Sequence, residues 1–120
     1  MKILIFGAGG VGSVVGGFLA RTGHEVSLLG RPWHLDVVRK NGLVITGIWG
    51  DYRIKAFDLY TGLEQVKNSG VVFDLIILTV KAFDTAQAVE ELAPLMKEHT
   101  VLLSLQNGLG NIEIILKKVD

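Results

Sequence analysis

Residues 2–17 read KILIFGAGGVGSVVGG. An unbroken apolar run over 3–6 leads straight into Gly7-Ala8-Gly9-Gly10-Val11-Gly12, and apolar residues at helical spacing follow. That order describes a buried parallel strand, a glycine turn, and a helix whose amino end stays open to a phosphate. In the G-x-G-x-x-G spacing Gly7 makes the tight turn, Gly9 lets backbone approach a pyrophosphate, and Gly12 lets helix and strand pack closely. With 15 glycines in 120 residues the spacing arises by chance roughly 0.2 times per chain, so its context has to decide. The context agrees, because the pattern falls where a first strand ends and a helix begins. Two other readings exist. One is a glycine turn with no ligand; the other is a membrane span or signal peptide, since the 18 residues 3–20 are uncharged behind Lys2. Six of those 18 are Gly, which weakens a spanning helix, and no small-x-small cleavage site precedes Arg21.

A length of 120 residues sets one domain with one core. Twelve basic and twelve acidic residues cancel, which argues against nucleic acid or an anionic membrane as partner. There is no Cys, so disulfide frameworks and thiolate zinc sites are excluded, in keeping with a cytoplasmic location. The mean hydropathy of +0.44 is high for a free-standing domain. A parallel sheet covered on both faces accounts for it, and so does a face that belongs against a further domain or another subunit of a homo-oligomer.

Outward from the glycine turn, the first helix is expected over 10–22, with Val11, Val14, Val15, Phe18 and Leu19 toward the sheet and Gly23 as left-handed cap. A second strand follows at 25–29, and Pro32 opens a helix to Lys40 that Asn41-Gly42 ends. The tip of that second strand selects the coenzyme. A carboxylate there would bond the ribose hydroxyls of NAD and repel the extra phosphate of NADP. Here Arg31 stands 19 residues after Gly12, while Glu25 opens the strand at its far end and Asp36 lies inside the next helix. A guanidinium clamps a 2′-phosphate through two parallel hydrogen bonds, so the pattern favours NADP over a merely solvated Arg.

Residues 43–57 form short alternating runs around Ile48-Trp49-Gly50-Asp51, an antiparallel hairpin signal. Trp49 is either a partner contact or a loop residue over the sheet edge. A brief helix is possible at 63–68. Residues 74–80, DLIILTV, make another buried parallel strand, and Lys81 leaves its carboxyl end, the edge where open α/β sheets bind ligands. Asp84 or Thr85 then caps a helix to Leu92 with Ala86, Val89 and Leu92 on its face, closed by Pro94. The strand 100–105 exits through Gln106-Asn107-Gly108 into a helix at 111–118, which puts Asn107 at the ligand edge too. His24 and His99 precede their strands, on the side away from the ligand, and His34 reads as a solvated helix position that could approach adenine. No metal-ligand spacing and no nucleophile elbow is present. The expected fold is therefore α/β: a Rossmann-type, doubly wound, mostly parallel sheet with an antiparallel excursion at about 43–57.

Four stretches taken together are more specific: GAGGVGSVVGGFLARTGHEVSLLGR, HLDVVRKNGLVI, DLIILTVKAFDT and LLSLQNGLGNIE. In order and spacing the chain resembles the ketopantoate reductase (2-dehydropantoate 2-reductase) family over nearly all its length. The resemblance implies hydride transfer from NADPH to the keto carbon of ketopantoate, on the way to pantothenate. It implies that Gly7, Ala8, Gly9, Gly10, Val11 and Gly12 hold the pyrophosphate and Arg31 the 2′-phosphate. By the same resemblance Lys81 lies beside the cofactor, Asn107 sits by the nicotinamide and reaches the substrate, and Glu113 falls near the cofactor ribose. Lys81 as a solvated strand-end lysine and Asn107 as a plain turn residue stay open beside those roles. Family members continue into a helical C-terminal domain that carries the proton-donating lysine and most of the substrate pocket. Residues 1–120 are thus expected to be the N-terminal NADP-binding domain, with no catalytic residue of their own and no turnover alone. A free-standing NADP(H)-sensing module and a reductase of another 2-keto acid are the alternatives.

Overall fold

The computed structural model describes residues 1–7, 10–45, 52–55, 57–79 and 85–104, with backbone only at 10, 11 and 85. Five strands make one parallel sheet: β1 (Lys2–Phe6), β2 (Glu25–Leu29), β5 (Phe57–Tyr60), β6 (Leu75–Leu78) and β7 (Val101–Ser104). Their spatial order is β5-β2-β1-β6-β7, so the apolar run before the glycines is the middle strand. The crossovers are α1 (Gly10–Arg21) from β1 to β2, α2 (Pro32–Asn41) leaving β2, α3 (Leu63–Asn68) from β5 to β6, and α4 (Thr85–Leu92) from β6 to β7. After α2 the chain forms β3 (Leu43–Ile45) and β4 (Tyr52–Ile54), a separate antiparallel pair.

Strand β1 shows why both sheet faces are dry. Leu4 and Phe6 point into a cluster with Val66 of α3, Phe73, Ile76, Leu78, and Val89 and Leu92 of α4. Ile3 and Ile5 point the other way, to Val26, Leu28, Leu35 of α2 and Ile77, with Val15 and Leu19 of α1 packed against them. Each fully buried aliphatic of this kind contributes about 1.5–3 kcal/mol of transfer free energy, which is how four-residue strands persist.

Three details differ from what patterning suggests. The fully buried face of α1 is Gly12, Ser13, Gly16 and Gly17, whereas Val14, Val15, Phe18 and Leu19 are half-buried at its flanks. The helix lies too close for larger residues: a Cβ on Gly16 would stand 3.0 Å from Leu28 Cδ2 and 3.2 Å from Ile5 Cγ1. The hairpin's second strand ends at Ile54, and Phe57 already begins β5, paired with Val26 in the main sheet. On α4 the buried small residue is Ala88, with Ala86 exposed. Gly23 does cap α1 in left-handed backbone (φ +92°), and the 63–68 helix forms as read. Trp49, Val80, Asp84, Leu105 and the 111–118 helix lie outside the described residues.

The chain leaves β1 toward β2 and β5, then crosses back to β6 and β7 on the other side. In open sheets of this kind ligands bind where the order reverses, which here falls between the carboxyl ends of β1 and β6, where the glycine turn begins.

Candidate functional site

Gly7 follows β1 with φ +98°, a backbone conformation that side chains resist and glycine adopts freely. Both neighbouring strand ends hold this turn. The Gly7 N–H donates to Leu29 O of β2 at 3.0 Å, and the Thr79 N–H beyond β6 donates to Phe6 O at 3.0 Å. The Thr79 hydroxyl adds a bond to Gly7 O at 2.7 Å and a weaker one to Phe6 O at 3.3 Å. Helix α1 then starts at Gly10, with no acidic residue in its first turn. Its amino end carries the positive end of the helix dipole, on the side of the strands' carboxyl ends. A Cβ on Gly12 would stand 2.6 Å from Thr79 Oγ1, 2.9 Å from Ile5 Cγ2 and 3.1 Å from Gly7 O. The close helix–strand approach expected of the third glycine is therefore present.

One strand across, the Gly30 N–H donates to Tyr60 O at 3.1 Å, tying the tip of β2 to the tip of β5. Arg31 comes next in extended backbone (φ −70°, ψ 140°) as the N-cap of α2, with Pro32 at the first helical position. The Arg31 carbonyl accepts the N–H groups of His34 at 3.1 Å and Leu35 at 3.0 Å. Its side chain is exposed, and among the described residues no hydrogen bond or ion pair holds it. The acids that could have neutralised it are elsewhere: Asp36 pairs with Arg39 at 3.0 Å, and Glu25 sits at the opposite end of β2.

His34 is half-buried, and its Nε2 lies 2.9 Å from the hydroxyl of Ser13 on α1, so it is not the solvated helix residue that sequence suggested. The other histidines lie at the amino ends of the strands, as expected. His24 Nδ1 is 3.3 Å from the Met1 amine, and His99 Nε2 is 3.4 Å from Asp74 Oδ1, beside an open pocket that also includes Lys2 and Glu25. The Lys2 backbone N–H, 2.7 Å from Asp74 Oδ2, is the main influence holding that carboxyl below its usual value; desolvation opposes it, and His99, the N-terminus and Lys2 assist.

Gly7 and Arg31 thus sit at adjacent strand ends on one edge of the sheet, with Gly12 of α1 packed close beside Gly7. Ala8, Gly9, Lys81, Asn107 and Glu113 lie outside the described residues, as does the side chain of Val11. Among the described residues no group of three His, Asp or Glu is placed to hold a metal, and no helix is long and apolar enough to cross a membrane. Sequence reasoning passed over Thr79 and the Ser13–His34 pair. Thr79 had one signal, being the polar residue in an otherwise apolar run; the pair had none, since its members are distant in sequence.

A family model described as ketopantoate reductase PanE/ApbA matches residues 3–120. The 2-dehydropantoate 2-reductase of Pyrococcus horikoshii is 41% identical over 118 residues, which is 98% of this chain and 36% of that protein. Among solved structures, a PanE/ApbA family ketopantoate reductase from Ralstonia eutropha JMP134 superposes with a TM-score of 0.86 at 35% identity, over 98% of this chain and 38% of that one. A D-mandelate dehydrogenase in ternary complex with NADH and anilino(oxo)acetate superposes at 0.82 and 33% identity, over 99% of this chain and 38% of that one. The chain spans between a third and two-fifths of the length of these relatives.

Proposed function

Because the chain belongs to the ketopantoate reductase family, we propose that it is the coenzyme-binding part of an NADPH-dependent 2-keto acid reductase acting on ketopantoate in the cytoplasm. One observation carries the reading: Gly7 turns the chain out of the middle strand of a switch-point sheet, and Arg31, without a side-chain partner among the described residues, stands at the tip of the next strand. The residues fit an anionic dinucleotide, since no acid stands in the first turn of α1 and, among the described residues, none pairs with Arg31.

On this reading, residues 7–12 take the diphosphate on backbone N–H groups and Arg31 takes the 2′-phosphate by a forked, charge-assisted contact. Lys81 and Asn107 flank the nicotinamide, with Asn107 also touching the keto acid, and Glu113 meets the ribose. When bound, the coenzyme supplies a hydride to the keto carbon. The carbonyl oxygen left behind needs a proton, and these 120 residues orient the coenzyme without supplying that acid; it comes from a further helical domain.

A second reading has its own support, because a similar protein at 33% identity was solved with NADH and an oxoacetate. It makes this chain NADH-dependent toward another 2-keto acid. Titration with NADPH and with NADH separates the two. The expected result is tighter NADPH binding, and Arg31→Ala should weaken NADPH about 10- to 100-fold while leaving NADH unchanged. Equal affinities in the unaltered chain would refute the clamp, and tighter NADH binding would favour the second reading.

A further inference from the structure

The geometry points to Ser13 and His34 as a positioning pair that sets coenzyme preference; the inference rests on the 2′-phosphate role proposed for Arg31. Ser13 follows Gly12 in α1 and is 3% exposed. A hydroxyl this deep needs a partner to offset its desolvation, and the imidazole Nε2 at 2.9 Å is that partner. His34 is the third residue of α2, and its own N–H closes the first turn onto the carbonyl of Arg31 at 3.1 Å. The Trp33 ring lies beside the imidazole in a T-shaped arrangement, ring centroids 6.0 Å apart.

The bond therefore links two elements that a dinucleotide must engage together. One is the helix whose amino end faces the diphosphate; the other is the turn from which the guanidinium projects. These elements belong to successive crossovers, and a hydrogen bond between them restricts how far the Arg31 turn can drift from the glycine turn. A small misplacement of a forked donor costs much of its contact, because both N–H groups must align at once. An apolar pair would fill the space without setting a direction.

The test uses His34→Leu, which removes the bond, His34→Gln, which returns a polar nitrogen at similar reach, and Ser13→Ala, which breaks the bond with the smallest change of volume. NADPH and NADH affinities are measured for each, with Arg31→Ala alongside. His34→Leu and Ser13→Ala are expected to weaken NADPH about tenfold and NADH less than about twofold, and His34→Gln to restore most of the difference. Equal losses for both coenzymes in Ser13→Ala would reduce the pair to packing and overturn the inference. A wild-type ratio in both variants, with preference lost in Arg31→Ala, would overturn it while leaving the clamp in place. Preference surviving Arg31→Ala would overturn the clamp itself.

Discussion

One hydroxyl joins two strand ends at the centre of this molecule. Thr79 Oγ1 donates to Gly7 O at 2.7 Å and also approaches the place where a Gly12 side chain would begin. Thr79→Val keeps the shape and removes the donor, so the Gly7 carbonyl loses a partner. A loss of about 1–2 kcal/mol is expected in urea unfolding, with weaker binding of both coenzymes, and Thr79→Ser should recover both. At this scale the sequence is legible where the chemistry is local. Gly7 and Gly12 announce themselves because a tight turn and a close approach both exclude side chains within a few residues. Arg31 is legible because counting strands puts it at a tip. Thr79 and His34 act through partners far along the chain, and no spacing rule reaches that far.

Among the elements, α1 is held closely along its glycines. Beside the sheet contact, α1 meets the β3–β4 pair at Gly17, where a Cβ would stand 2.7 Å from Ile45 Cδ1, 2.9 Å from Leu43 Cδ2 and 3.1 Å from Ile54 Cδ1. Tyr52 strengthens the seam, with its ring 5.8 Å from that of Phe18 and the Arg21 guanidinium 3.8 Å above it. Gly17→Val should push the pair away and cost about 1–3 kcal/mol by overpacking, read as a lower urea midpoint, while the coenzyme preference stays as it was. Periodicity located these elements well, since buried strands and amphipathic helices have distinct repeats. It was incomplete for the inner face of α1: Val15 and Leu19 do pack against the sheet, but the closest approach falls at Gly12, Gly16 and Gly17. It also ran the hairpin arm into Phe57, because alternation shows that residues 57–60 are extended and says nothing of which sheet they join.

For the molecule as a whole, the amino ends of the central strands meet at Asp74. Its carboxylate accepts the Lys2 N–H at the start of β1, stands just before β6, and faces His99 ahead of β7. Its affinity for protons is lowered in the folded chain, mainly by that backbone bond. The unfolded chain therefore takes up the proton first as pH falls. The stabilisation is complete above the ordinary value of 3.8 and drains away as pH drops below it toward the lowered folded value. Urea midpoints measured from about pH 5 to about pH 3 should fall more steeply for the unaltered chain than for Asp74→Asn, and parallel profiles would remove Asp74 from this role. The doubly wound plan was legible because helices alternate with apolar runs, which leaves parallel crossovers as the natural solution.

The central position of β1 also has a consequence for biosynthesis. Ile3 is translated well before Leu75, one of its two neighbours in the sheet. In the interval β1 and β2 can zip together while the flank reserved for β6 stays bare and sticky. Such late closure slows maturation and leaves nascent chains prone to clumping. Slower translation ahead of codon 75 lengthens that vulnerable window.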